Sequence, residues 1–130
     1  MAESISDDMT AGGRGEVFNR YVRNESVTVA ATTTTLVTAV KADAYRDFTL
    51  ETYNGHATST VTVKVWVSNR TTPGALAGAD WVQLGTNISL SPTTGSVDVW
   101  NTARPLWIGV TATADVQTTT DNDCLLRMSS

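Results

Sequence analysis

The fold class is decided by the stretch Thr58-Ser59-Thr60-Val61-Thr62-Val63-Lys64-Val65-Trp66-Val67-Ser68, in which apolar and polar side chains alternate. Successive side chains of a β-strand point to opposite faces of its sheet, so this stretch predicts a strand with one dry face. The dry face is formed by Val61, Val63, Val65 and Val67, and the wetter face by Thr60, Thr62, Lys64 and Trp66. Lys64 is the only charged residue in the stretch, which gives little protection to a sheet edge and therefore predicts a central strand or pairing with another chain.

Weaker copies of this alternation follow along the chain and predict an all-β protein. β-Branched residues, which fit a pleated surface, are used heavily, and no long window has helical periodicity. About seven or eight short strands at regular spacing are typical of an antiparallel β-sandwich, of the jelly-roll or immunoglobulin-like type. Residues 26–130 are long enough to bury a core and are predicted to form this one domain.

The dipeptide Asn54-Gly55 is the strongest short turn signal in the chain, because both residue types tolerate a positive φ. It separates 58–68 from the alternating segment 46–53, in which Phe48, Leu50 and Thr52 would share one face. The position of this turn predicts a β-hairpin formed by the two segments.

Residues 1–25 are predicted to be a flexible N-terminal arm, because the first sixteen residues are small, polar and acidic. Within the arm, residues 17–23 change character, and Val17, Phe18, Tyr21 and Val22 would share one face of a short helix. Two interpretations follow from this cluster. It packs against its own domain, or it is an anchor that docks on a neighbouring subunit or partner.

Charge and composition restrict the kinds of partner. The 130-residue chain has a net charge of −4, and its nine Lys and Arg residues are scattered, which disfavours a nucleic-acid groove and a membrane surface. Cys124 is the single cysteine, so no internal disulfide is possible. The acidic segment 1–10 lacks the features of a secretory signal, and we expect synthesis in a cytoplasm.

Residues that could perform chemistry are scarce, and we expect no enzyme. His56 is the only histidine and is expected to be exposed beside the turn, while Cys124 is expected to be a small buried hydrophobe. Two such residues cannot supply a zinc site, and the acidic stretches lack the spacing of a calcium loop. The sequence therefore predicts no catalytic residue, no cofactor and no metal ligand.

The four tryptophans, Trp66, Trp81, Trp100 and Trp107, are the remaining candidate interaction residues. Indole rings carry a large apolar area with one polar group and are enriched at interfaces. Three interpretations are open: caps on the ends of the sandwich core, contacts with a subunit or partner, and a stacking platform for sugars.

Four runs resemble the small β-sandwich virion proteins of tailed bacteriophages. They are Phe48-Thr49-Leu50-Glu51-Thr52-Tyr53-Asn54-Gly55, residues 59–68, Trp81-Val82-Gln83-Leu84 and Arg104-Pro105-Leu106-Trp107-Ile108-Gly109-Val110. The resemblance implies a non-enzymatic structural protein of the virion, assembled in the host cytoplasm. Some of those virion proteins are capsid decoration, or cement, proteins, and others are neck or tail components. We expect this chain to be a decoration protein that stabilises the shell by bridging neighbouring capsid subunits. The resemblance also implies a homo-oligomer, often a trimer for decoration proteins, with the major capsid protein or other virion subunits as partners.

Two rival functions stay open at this point. A carbohydrate-binding module of a tail fibre or surface protein would bind a glycan and would need exposed, coplanar tryptophans on one face. A head–tail connector or tail component would form rings. Fold likeness alone does not choose among them.

Overall fold

The computed structural model describes the backbone of residues 3–12, 15–101 and 104–130, and the side chains of these residues except 7–12 and 15–18. The described chain forms nine strands in two antiparallel sheets and contains no helix. The strands are β1 (Ser4–Gly12), β2 (Gly15–Val27), β3 (Thr34–Lys41), β4 (Asp47–Asn54), β5 (Val61–Ser68), β6 (Val82–Leu90), β7 (Thr94–Trp100), β8 (Trp107–Ala114) and β9 (Asn122–Ser129). The predicted all-β sandwich is confirmed.

Sheet A has the strand order β1-β2-β9-β4-β7, and sheet B has the order β3-β8-β5-β6. Because β5 lies between β8 and β6, the central position predicted for it is confirmed. Its dry face packs in the core, as the alternation predicts. The fully buried side chains of both sheets include Phe48, Leu50, Val61, Val63, Val65, Ile108, Val110, Leu126 and Met128.

The predicted hairpin of β4 with β5 is wrong, because the two strands belong to different sheets. β4 pairs with β9 and β7, whereas β5 pairs with β8 and β6. Asn54 is buried, and its side-chain amide donates to the carbonyls of Ser59 and Leu90 at 2.7 and 3.1 Å. The Asn54-Gly55 segment therefore starts a crossover between the sheets, with its polar groups satisfied by the sandwich itself.

β6 joins the segments 82–84 and 86–90 into one continuous strand. Gly85, between them, has a positive φ of 73°, and the β5–β6 register shifts between Val63 and Val65. A glycine adopts this left-handed conformation without strain, so the strand continues through a bulge instead of ending. The Trp100 indole nitrogen lies 3.4 Å from where a Cβ on Gly85 would stand.

Residues 17–23 form part of a strand, so the short helix predicted there is wrong. β2 pairs with β1 on one side and with β9 on the other, where Val22 lies opposite Leu126. Backbone partners on both sides favour an extended conformation over the weak helical periodicity of seven residues. The division into an arm over 1–25 and a domain over 26–130 stays a prediction.

The two ends of the sandwich differ in what they carry. At one end, called the ribbon end, β2 and β1 continue past the last β9 pair, and the segments 41–47, 68–82 and 100–107 connect the strands. At the opposite end, called the loop end, the connections are 27–34, 54–61, 90–94 and 114–122. Because every strand runs between these ends, each end is built from residues distant in sequence.

Candidate interaction surfaces

The β1–β2 ladder forms a two-stranded ribbon that projects past the sandwich. β2 pairs with β9 only as far as Asn19, which lies opposite Ser129. The β1–β2 pairing continues beyond that point to Gly12 and Gly15. Four residues of β2, roughly 13 Å of extended chain, therefore lie beyond the end of β9. We call residues 9–12 and 15–18 the ribbon.

Of the four predicted anchor residues, Val17 and Phe18 lie on the ribbon, and their side chains are outside the described set. Tyr21 and Val22 point to opposite faces of β2 because they are consecutive strand residues. Val22 is fully buried in the chain's own core, whereas Tyr21 is half-buried, with the Arg23 guanidinium 5.3 Å from its ring centroid. Docking of this cluster on a partner stays a prediction.

The four tryptophans lie in three different settings. Trp81 is buried, and its indole N–H donates to a backbone carbonyl of the preceding loop, 3.1 Å away. Trp100 packs against the core from the end of β7. Trp66 and Trp107 lie on the outer face of sheet B and are both half-buried. Among the four tryptophans, Trp100 is therefore the one that caps the end of the core.

The outer face of sheet B around Trp66 is covered by the chain itself. The indole N–H of Trp66 donates to the Thr111 hydroxyl at 2.9 Å. Gly109 lies opposite Trp66 on β8, and Leu76 of the 69–81 loop occupies the space that a side chain at 109 would fill. With Trp66 and Trp107 both half-buried and Trp81 buried, the tryptophans do not form the exposed, coplanar platform that the glycan-binding alternative needs.

A cleft of about 520 Å³ opens at the ribbon end, between the end of β5, the start of β6 and the segment before β8. Its lining includes two guanidinium groups, one carboxylate and two valines: Arg70, Arg104, Asp80, Val67 and Val82. Arg70 Nε lies 3.8 Å from Asp80, so this carboxylate offsets one of the two positive charges. Val82 is 69% exposed and leaves an apolar surface beside them. We call this site the arginine cleft.

The turn formed by Asp115 and Val116 stands at the loop end, directly after β8. Asp115 Oδ1 accepts hydrogen bonds from the Ser59 hydroxyl at 2.7 Å, the Thr60 amide at 2.9 Å and the Val116 amide at 2.7 Å. These donors, above all the Ser59 hydroxyl, lower the pKa of Asp115, so the carboxylate stays ionised near neutral pH. Val116 is 63% exposed. This Asp115 turn therefore holds a negative charge and an unpacked valine in a fixed position.

The single cysteine and the single histidine are both withdrawn from solvent, fully or in part. Cys124 is buried, as predicted, and burial followed by the charge of Glu3 raises the pKa of its thiol to about 12. His56 is half-buried where we predicted exposure, because its Nδ1 accepts hydrogen bonds from the amides of Thr58 and Ser59. The Cys124 thiol therefore stays protonated near neutral pH, and the His56 ring bonds to the backbone of the segment that leads into β5.

Two other kinds of site are absent from the described residues. Among the described residues, no group of three or more His, Cys, Asp or Glu side chains is placed to hold a metal ion. In the part of the chain that the structure describes, no helix is long and apolar enough to span a membrane.

Comparisons with known proteins show similarity at the level of the fold. No protein-family model and no curated protein matches this sequence. The chain is similar to a protein of the Bacillus endospore appendages, which are described as disulfide-linked pili, with a TM-score of 0.50 and 14% identity over 98% of this chain and 89% of that one. It also aligns over 98% of its length with 32% of a chain of infectious bursal disease virus, Gx strain, at 8% identity and a TM-score of 0.39, which is below the level of a common fold.

The residues of the arginine cleft and the Asp115 turn were not among the predicted interaction residues. The cleft combines segments 67–70, 79–82 and 104–105, which meet only because β5 lies between β6 and β8. Residues so far apart in the sequence give no local signal that they line one cleft. The exposed Val116, beside an acid and directly after an alternating strand, is the one local signal that could have indicated the turn.

Proposed function

We propose that this chain is a non-enzymatic structural subunit of an assembled particle. We propose further that the particle is a tailed-phage virion, in which the chain is a capsid decoration protein that bridges neighbouring capsid subunits. The observation that carries the proposal is the ribbon. Its backbone extends roughly 13 Å past the end of β9, away from the sandwich that holds the core.

A projecting two-stranded ribbon suits a bridging role for a physical reason. The β1–β2 ladder already satisfies much of its backbone hydrogen bonding, so docking orders less chain than a disordered arm would have to order. One outer edge remains on β1, and such an edge can accept a strand from a partner. The sandwich would then sit on one capsid subunit while the ribbon reaches the next.

The fold likeness to the endospore appendages supports a structural role in general, because those proteins are pili. It does not extend to their disulfide linkage. Cys124 is the single cysteine of this chain and is buried, so it is badly placed to link subunits. The bridging that we propose is therefore non-covalent.

Binding to shells tests the decoration role directly. The full chain would be mixed with purified shells of the major capsid protein that the same genome encodes, and bound chain measured by co-sedimentation. We expect saturation at a fixed number of copies per capsomer and greater resistance of the shells to heat. Absence of binding at millimolar chain concentration would refute the decoration role, and rings formed without shells would favour the connector alternative.

A shortened ribbon identifies the element that binds. Residues 9–18 would be replaced by Asn-Gly, which joins the paired residues Asp8 and Asn19 through a two-residue turn. The turn moves by an even number of residue pairs, so the two strands keep their register and each side chain stays on the same face. We expect shell binding to fall at least tenfold while the free energy of unfolding changes little.

The matched control for the shortened ribbon is Lys64→Glu, on the outer face of sheet B and away from the ribbon. It should bind shells as the natural chain does. Equal binding by the shortened and full chains would remove the ribbon from the mechanism. Quenching of tryptophan fluorescence by oligosaccharides would instead revive the glycan-binding alternative.

A further inference from the structure

The two ends of the sandwich have matching chemistry. The arginine cleft at the ribbon end offers two guanidinium groups beside the exposed Val82. The Asp115 turn at the loop end offers a carboxylate beside the exposed Val116. From these two surfaces we infer that the chain assembles head to tail, with the Asp115 turn of one copy in the arginine cleft of the next. This inference rests on the proposed structural function and names the contact between its copies.

Charge favours this contact. The arginine cleft has two positive groups, and Asp80 offsets one of them through its 3.8 Å approach to Arg70. In the described loop-end connections, the charged residues are Asp115 and Asp121, and no Lys or Arg is present. Opposite local charge steers two copies into one orientation and disfavours a contact between two like ends.

Apolar surface favours the same contact. Val82 is 69% and Val116 is 63% exposed, whereas Val61, Val63, Val65 and Val110 of sheet B are fully buried. Bringing the two valines together would remove both from water, and the charged groups around them would form a polar rim, as in other specific interfaces. The hydrogen bonds at Asp115 hold the turn in one conformation, so little ordering cost is added on binding.

The geometry is consistent with stacking along the strands. The Asp115 turn follows the last residue of β8 and lies beside the start of β5, and the arginine cleft lies at the end of β5 and before β8. The two sites are thus separated by one strand length, roughly 26 Å for eight residues.

Head-to-tail contacts are heterologous, because each copy uses two different surfaces. They produce a closed ring if the rotation between copies closes, and an open rod if it does not. A trimeric decoration protein is one closed form of this contact. Solution mass therefore distinguishes a ring from a rod, and the same interface is tested in either case.

The test uses two charge variants and sedimentation velocity over a concentration series. The cleft variant carries Arg70→Glu and Arg104→Glu, and the turn variant carries Val116→Lys; all three side chains are exposed, so both proteins should fold. We expect each variant alone to associate at least tenfold more weakly than the natural chain, since each places like charges in contact. We expect an equal mixture of the two to associate more strongly than either variant alone, because the introduced lysine then meets the glutamates of the cleft variant, and the natural turn of the cleft variant meets the natural cleft of the turn variant.

Matched controls make the same chemical changes on other faces. Val97→Lys alters a valine that is 62% exposed on β7, and Lys64→Glu reverses a charge on β5. Both should keep the natural mass and the natural weakening of assembly by salt. A natural chain that stays monomeric at millimolar concentration, or variants that assemble as it does, would overturn the inference. Shell binding is measured separately, so its loss would refute the decoration role and leave this contact standing.

Discussion

β5 and β7 are both rich in valine, yet they place their valines on opposite sides of their sheets. In β5, Val61, Val63 and Val65 face the core and are fully buried, whereas in β7 Val97 and Val99 are each 62% exposed. β5 is central in sheet B, and β7 is an edge strand of sheet A. Alternation thus shows that a strand has two different faces. The position of the strand in its sheet decides whether the valine face is buried or exposed.

The inward side of β7 explains this inversion. Asp98 lies opposite the buried Leu50 and is half-buried, with its Oδ2 accepting a hydrogen bond from the Ser96 hydroxyl at 2.8 Å. A charge on the inward face of an edge strand makes it costly for another strand to extend the sheet there. β7 therefore gives up core packing for protection against edge-to-edge association, a protection that the central β5 does not need.

The largest expected contrast between buried and exposed positions is in thiol reactivity. Burial raises the pKa of the Cys124 thiol to about 12, while an exposed thiol titrates near 8.5. In a Val97→Cys variant, we expect the introduced thiol to react with a disulfide reagent at least about 10³-fold faster than Cys124. The measurement is the release of coloured thiolate before and after addition of denaturant. Two fast-reacting thiols in the folded variant would contradict the buried position of Cys124.

The next contrast replaces valine by the isosteric threonine in each strand. Val63→Thr places a hydroxyl in the core and should lower the free energy of unfolding by about 2 kcal/mol. Val97→Thr places the same hydroxyl in water and should change it by less than about 0.5 kcal/mol. Urea denaturation of both variants beside the natural chain measures the difference. Equal losses would mean that β7 is packed against something in solution.

Asp98→Val sharpens the comparison by giving β7 an apolar inward side. The free energy of unfolding should rise by up to about 1 kcal/mol, since the new side chain adds apolar contact near Leu50. Self-association should become roughly tenfold stronger, because the edge loses its protection. Asp98→Asn is the control that keeps a polar group. Light scattering in sulfate separates this association, which salt strengthens, from head-to-tail assembly, which salt weakens.

The comparison of β5 with β7 also shows which parts of the fold could be predicted from the sequence. The β5 pattern gave the strand, its buried face and its central position, because those depend on local alternation. The partner of each strand could not be predicted in the same way. Asn54-Gly55 is a strong local turn signal, but it lies where the buried Asn54 side chain bonds to Ser59 and Leu90 across the crossover.

Long-range pairing also decided the parts of the candidate sites that sequence missed. Residues 17–23 have weak helical periodicity, but β1 and β9 pair with β2 on both sides and make it a strand. Arg70 and Arg104 lie far apart in sequence and line one cleft only because of the order of sheet B. Of the predicted interaction residues, Val22 and Trp81 proved buried, because the pattern that marks an interface residue also marks a core residue.

The smallest expected effect concerns Asp115. Asp98 protects the edge strand β7, whereas Asp115 accepts hydrogen bonds from residues just before β5. The donors around Asp115 lower its pKa below the ordinary range of an aspartate in the folded chain, the Ser59 hydroxyl most strongly. A carboxyl with a lower pKa when folded contributes stability above its unfolded pKa and loses it as the pH falls through the folded value. We therefore expect Ser59→Ala to move the pKa of Asp115 upward.

That shift has a defined measurement. Titration of the Asp115 side-chain carboxyl carbon by NMR gives the pKa in both proteins, with Thr58→Ala, whose side chain is exposed, as the control that should leave it unchanged. The part of the Ser59→Ala stability loss that comes from Asp115 should shrink as the pH falls from neutral through the folded pKa of Asp115, because below that pKa the carboxyl is protonated in the folded and unfolded chains alike. A stability loss that stays constant as the pH falls would show that the Ser59 hydroxyl donates its one proton to the carbonyl of Val116, the alternative acceptor within reach, and not to Asp115. The Asp115 turn would then be held in shape by the hydrogen bond to the Val116 carbonyl and not by the charge of Asp115.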